Sequence, residues 1–248
     1  MFIKICANTN LEDARLAVEL GVDAVGFVFA PSKRQVTSEQ VAEITRELPA
    51  NVEKVGVFAT DDPYEVEHWV ACSGLTAAQL HGAFDAEMVR ALSNEFGGEL
   101  KIIQTVAYAV DAKDRAEADA RFARTLEAVF DEPAVWAVLI DAAKAGASGG
   151  LGVAFDWERV AEIVWRVIGV REPRPRVILA GGLNAENVEA AIAAMRPWGV
   201  DVASGVEAAP GKKDPARLRA FVAAVLRGRR EFFNASAAGS GQRLGAAE

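Results

Sequence analysis

Cysteine is almost missing: the 248 residues contain Cys6 and Cys72 alone, too few for a disulfide framework. Histidine is as scarce, with His68 and His81 far apart, so no cluster suggests zinc or another transition metal. Positive charge is in deficit, 27 Lys and Arg against 35 Asp and Glu for a net charge of −8. Such a chain has no basic field to hold nucleic acid or an anionic membrane, and any anion must bind at a local site. No stretch approaches the ~18 uninterrupted apolar residues of a spanning helix. Residues 1–10 lack a positive segment followed by an apolar run, which points to the cytoplasm.

What is present is alternation. Short apolar runs rich in Val, Ile and Phe fall at 2–6, 24–29, 53–58, 77–81, 100–106, 135–141, 176–180 and 200–204, too short for helices and apolar on both faces. Between them lie segments with helical spacing and their own start signals. Asn10, Ser38, Asp62, Asp85, Asp156, Asn184 and Asp214 are candidate caps, and Pro63 and Pro215 suit a first helical turn. The charged segment 111–130 places Phe122, Leu126, Val129 and Phe130 on one face and reads as the fifth helix. Eight strand and helix pairs in a row imply a parallel sheet covered by helices. At ~250 residues the simplest closure is a single α/β domain, a (β/α)8 TIM barrel. An open doubly wound sheet is the alternative, but the first turn, 6–10, lacks a GxGxxG fingerprint. The barrel is expected over 1–228. The Ala-, Gly- and Ser-rich segment 229–248 is expected to be a flexible, disordered tail.

In this fold, chemistry collects where strands end and helices begin. Cys6 ends the first strand, either as a small buried hydrophobe or as a base or nucleophile, with no sequence-adjacent histidine to activate it. Cys72, late in the third helix, reads as a packing residue. Asp141 ends the sixth strand, where burial would raise its pKa and suit it to general acid work; otherwise it accepts loop N–H groups. The following segment 146–152 is glycine-rich, a lid or only a long turn. Arg34, just after the second strand, can fork onto a carboxylate or sit in solvent. His81 ends the fourth strand as a ligand contact or a satisfied rim residue. Gly181 and Gly182 follow the seventh strand, and Ser204 and Gly205 follow the eighth. Glycines there let main-chain N–H groups approach an anion, and these two loops are the usual phosphate position of the fold.

Taken in order, Lys4-Ile5-Cys6, the run 24–29 with Ser32-Lys33-Arg34, Gln79-Leu80-His81-Gly82, Leu139-Ile140-Asp141, Ala180-Gly181-Gly182-Leu183-Asn184 and the stretch 200–207 with Pro210-Gly211-Lys212-Lys213-Asp214 resemble the phosphoribosylanthranilate isomerases of tryptophan biosynthesis. The likeness runs from Met1 to about Leu226. It implies an Amadori rearrangement in which the furanose of N-(5-phosphoribosyl)anthranilate opens to a Schiff base. C2′ then loses a proton, and the enolamine tautomerises to 1-(2-carboxyphenylamino)-1-deoxyribulose 5-phosphate. By the same likeness Asp141 is the general acid and Cys6 the general base. Arg34 orients the anthranilate carboxylate, and Gly181, Gly182, Ser204 and Gly205 clamp phosphate. His81 is carried as a further substrate contact. No cofactor and no metal are implied, and the partner is the phosphoribosyl substrate, with room for contact with other enzymes of that pathway.

The chain departs from the family pattern in places. Ala7 stands where the family has glycine, a change without strain only if its φ lies below zero. Leu151, Val153 and Ala154 replace family residues in the glycine-rich loop, with Ser148 as a substitute hydroxyl. Two rival readings stay open. One is the indole-glycerol phosphate synthase of the same pathway, which relies on a lysine, with Lys4 the one candidate near a strand end. The other is a non-catalytic phosphate-ligand binder.

Overall fold

A computed structural model describes residues 1–143 and 156–241. The eight expected strands are β1 (Phe2–Ile5), β2 (Ala24–Val28), β3 (Glu53–Phe58), β4 (Ala77–Leu80), β5 (Lys101–Ala109), β6 (Val135–Ala143), β7 (Val177–Leu179) and β8 (Gly199–Val202). They close in that order into a parallel barrel, β8 pairing with β1 through Lys4 opposite Asp201. The helices between them are α1 (Leu11–Glu19), α2 (Ser38–Thr45), α3 (Pro63–Ser73), α4 (Ala86–Glu95), α5 (Arg115–Phe130), α6 (Trp157–Ile168), α7 (Val188–Met195) and α8 (Pro215–Gly241). A 3-10 turn at Ser204–Val206 and the short antiparallel pair β9 (Glu207–Ala209) and β10 (Lys212–Lys213) separate β8 from α8. The open-sheet alternative is excluded by closure.

Local chemistry explains the starts. Asn10, Asp62, Asp85 and Asp156 each accept an N–H of the first helical turn, as the cap residues require. Three starts differ from the sequence reading. Thr37, not Ser38, caps α2, because Gln40 answers it in a capping box. α5 begins after Asp114, and Asn184 caps a turn ahead of α7 by accepting from Glu186 and Asn187. β5 and β6 run past the barrel rim together, Ala109 opposite Ala143. Helix α8 continues across position 229, where composition places the start of the tail, as far as Gly241, since extending an already anchored helix needs no new nucleus; the rest of that expected tail, 242–248, lies outside the described residues. Cys72 is exposed rather than packed, with its sulfur 3.8 Å from His68 Nδ1. It sits on the outer face of α3, one position from the buried Ser73.

Candidate active site

Side chains alternate along a strand, so one fixed point on each tells which residues turn inward. The interior cluster contains Phe2 of β1, Ala77 of β4, Ile103 of β5, Ala137 and Leu139 of β6, and Ile178 of β7. The same parity turns Lys4 and Cys6, Gln79 and His81, Thr105, and Asp141 into the barrel. On β8 the inward residues are Gly199, where a side chain would strike Phe2 at 2.9 Å, and Asp201. Cys6 and Asp141 therefore both turn inward toward the strand C-terminal end.

Beneath that end lies an ion pair. Lys4 Nζ donates to Asp201 Oδ1 at 2.9 Å, and Lys4 is 0% exposed. Gly26 of β2 makes room beside it: a Cβ there would stand 2.8 Å from Cys6 Sγ and 3.1 Å from Lys4 Nζ, so thiol and ammonium share one niche. Burial pushes the Cys6 thiol above its ordinary range, Lys4 works against that and Asp201 with it. Asp141 is 8% exposed and its Oδ1 finds no hydrogen-bond partner among the described residues. Burial first, then the Asp201 carboxylate, push it up to about 7, with the Ala142 N–H and Lys4 pulling it back. A carboxyl in that state keeps its proton in a large share of molecules near neutral pH, and so is able to donate one. His81 is half-buried, and burial together with Lys4 lowers its pKa, which keeps the ring neutral at pH 7.

Arg34 reaches the same end of the barrel, but its fork is already engaged. Nε lies 2.9 and 3.0 Å from the two Glu207 oxygens and Nη2 lies 2.6 Å from Oε2. Nη1 has no protein partner among the described residues. Glu207 also accepts from the Gly211 N–H at 3.2 Å and faces Lys213 Nζ at 3.5 Å. Lys213 is buried, and its main bond, at 2.5 Å, goes to the Cys6 carbonyl oxygen. The turn after Cys6 is thus held from below. It needs holding: Ala7 has φ 61°, so the strain-free case for this alanine does not hold. Cys6 N–H to Val202 O, Asn8 N–H to Gly26 O, and Asn8 Nδ2 to Ile5 O fix the residues on either side.

The late loops approach one another closely. Gly181 and Gly182 take φ 84° and 67°, a conformation glycine adopts freely. A Cβ on Gly181 would lie 2.9 Å from Asp141 Oδ1, and one on Gly205 would lie 1.9 Å from the Leu183 carbonyl oxygen. The N–H groups of Gly181, Gly182 and Leu183 donate to no protein acceptor among the described residues. Ser204 opens the adjacent 3-10 turn. Main-chain donors facing an open mouth make an anion site without a lysine.

A family profile described as N-(5'phosphoribosyl)anthranilate (PRA) isomerase matches residues 3–224. The chain belongs to this isomerase family. An N-(5'-phosphoribosyl)anthranilate isomerase of Desulforudis audaxviator is 42% identical over 220 residues, 89% of this chain and 95% of that protein. The crystal structure of phosphoribosyl anthranilate isomerase from Thermotoga maritima superposes with a TM-score of 0.74 at 34% identity, covering 91% of this chain and 98% of that one. A solved phosphoribosyl anthranilate isomerase in complex with reduced 1-(o-carboxyphenylamino)-1-deoxyribulose 5-phosphate gives a TM-score of 0.70 at 33% identity, covering 91% and 98%.

All eight residues singled out from sequence lie at the strand C-terminal end of the isomerase barrel: Cys6, Arg34, His81, Asp141, Gly181, Gly182, Ser204 and Gly205. Four more charged residues gather at this end, and of them sequence reasoning weighs Lys4 alone, as the candidate of the lysine-dependent rival reading. Lys4 and Asp201 carry a signal that was available, a charge centred in an otherwise apolar strand. Glu207 and Lys213 carry none, because each acts through a partner distant in sequence. Leu151, Ser148, Val153 and Ala154 lie outside the described residues. Among the described residues no three His, Cys, Asp or Glu side chains gather as a metal requires, and no helix is long and apolar enough to cross a membrane.

Proposed function

We propose that this isomerase performs its family's Amadori rearrangement on N-(5-phosphoribosyl)anthranilate with Asp141 as the acid and Cys6 as the base. Asp141 donates its proton to the ring oxygen as the anthranilate nitrogen pushes the furanose open to a Schiff base. Cys6, as thiolate, then takes the C2′ proton, and the enolamine tautomerises to the 1-deoxyribulose product. The observation that carries this reading is a thiol and a carboxyl that both turn inward at the strand C-terminal end, the carboxyl pushed up to about 7 and with an oxygen that has no partner among the described residues. Phosphate sits on the N–H groups of Gly181, Gly182 and Leu183, which have no acceptor among the described residues, with Ser204 and Gly205 closing the other side. Arg34 offers Nη1 to the anthranilate carboxylate while Glu207 holds the rest of its fork, and His81 contacts substrate as a neutral ring. The ligand seen in the related solved structure, a reduced form of the product, has the aromatic acid, sugar chain and phosphate that this arrangement would recognise. The same reading proposes the cytoplasm as the compartment of the reaction.

Purified protein mixed with freshly made phosphoribosylanthranilate should discharge the anthranilate-type fluorescence. Asp141→Asn and Cys6→Ser should each lower kcat by ~10² to 10⁴ while product binding changes far less. Cys6→Ser with near-parental kcat would remove the thiol from the base role. Binding without turnover in the parent would instead favour a phosphate-ligand binder.

A further inference from the structure

Sequence offered no group to support Cys6 as a base, and the structure supplies one from an unexpected place. Lys4 and Asp201 are both inward, both buried, and bonded to each other at 2.9 Å one step beneath the mouth. Lys4 shares the Gly26 niche with the Cys6 sulfur. We propose that the Lys4–Asp201 ion pair is a positioning dipole, with its ammonium end toward Cys6 and its carboxylate end toward Asp141. One buried pair thereby favours a charged base and a neutral acid. The inference rests on the assignment of those two roles.

The electrostatics agree with this orientation. Of the charged groups acting on Cys6, Lys4 is the strongest, and of those acting on Asp141, Asp201 is the strongest. A lone cation would favour the thiolate but also ionise the acid. A lone carboxylate would keep the acid neutral but suppress the thiolate. An oriented pair separates the two demands, and in a buried site its field is weakly screened. Other charged groups face Cys6 as well: Lys213 lowers the thiol pKa, and Arg34 lies close enough to feel the thiolate. Glu207 stands between those two and neutralises them in part. His81 faces the pair but stays neutral at pH 7. Among the described residues, Asp201 and Lys4 are the ionisable groups acting on Asp141.

The consequence is kinetic. With the thiol above its ordinary range and Asp141 at about 7, thiolate with neutral carboxyl is the minor protonation form of the free enzyme. Its population is highest between the two pKa values, so the acid limb of kcat/KM reports Asp141 and the alkaline limb reports Cys6. The dipole narrows the gap between them and enlarges the competent fraction.

The test uses the Cys72→Ser chain, in which Cys6 is the one thiol, alkylated with iodoacetamide across pH. Lys4→Met should raise the alkylation midpoint by about one pH unit or more, lower kcat/KM about tenfold, and widen its pH profile on the alkaline side. Asp201→Asn should move the acid limb of kcat/KM about one unit lower. A merely structural pair would lower rates without moving either limb, and an unmoved midpoint in Lys4→Met or an unmoved limb in Asp201→Asn overturns the proposal. If a single variant fails to fold, Lys4→Met with Asp201→Asn leaves no unpaired buried charge and should still raise the thiol midpoint, by less. The alkylation midpoint belongs to the thiol whether or not it is catalytic. Loss of the base assignment through an active Cys6→Ser is thus separable from loss of the dipole.

Discussion

The two ends of the barrel interior use the same strands for opposite purposes. At the strand N-terminal end, Phe2 stacks on Trp198 at 4.7 Å and meets Trp136 edge-on at 5.8 Å, with Arg176 lying 5.0 Å from the centre of the Trp136 ring. Two residues further along β1 the interior turns to Lys4, and two further to Cys6. Three of the buried side-chain atoms without partners among the described residues lie toward this other end, on Gln79, Asp141 and Asn8. The floor gathers apolar area and ring contacts, which stabilise without regard to what is bound. The mouth keeps charge and unpaired polar atoms out of water, which costs stability and is useful only when a substrate arrives.

That contrast predicts that substitutions separate folding from chemistry by position. The largest folding loss belongs to the floor: Phe2→Ala should cost about 3–5 kcal/mol, seen as a lower denaturation midpoint with kcat near parental in the surviving fold. The reverse belongs to the mouth. Asp141→Asn should lose turnover yet gain about 2–4 kcal/mol of stability above pH 7. Its carboxyl titrates at about 7 folded and near 4 unfolded. The penalty is therefore absent at low pH, grows as pH rises between those values, and is full above the folded one. Thermal melts at pH 4 and pH 8 give the comparison, and an equal gain at both would contradict it.

Smaller effects sharpen the boundary. Arg34→Ala should raise KM by an amount equivalent to about 1.5–3 kcal/mol with little change in kcat, and the loss should shrink for an analogue lacking the anthranilate carboxylate. Equal losses with and without that carboxylate would show Arg34 to be only a brace for Glu207. Ala7→Gly should stabilise by about 1 kcal/mol, because glycine takes φ 61° without the Cβ clash. Unchanged melting there would mean that the anchored neighbours already absorb the strain.

Much of this was legible beforehand. Eight short apolar runs, each followed by a capped helical segment, left few architectures, and strand ends picked out Cys6, Asp141, Arg34 and the late glycines. Parity could also be taken from the strings themselves: once Cys6 faces inward, so must Lys4 and Phe2. The Arg34–Glu207 bond escaped because its partners stand far apart in sequence, and a guanidinium in a loop looks solvated until something is placed beside it. The start of α2 was missed by one residue, since Ser38 and Thr37 are both good caps and only the reply from Gln40 chooses between them.

Sequence by itself determined the repeated strand and helix units, their order, and which residues end each strand, because those follow from periodicity and short-range capping. Tertiary structure decided what the ends do to one another. Closing the barrel carries Asp201 back to Lys4 and sets both beneath Cys6 and Asp141, and burial then gives their charges a reach they lack in water. No local pattern encodes that, since field strength depends on distance and on what has been excluded from between the charges.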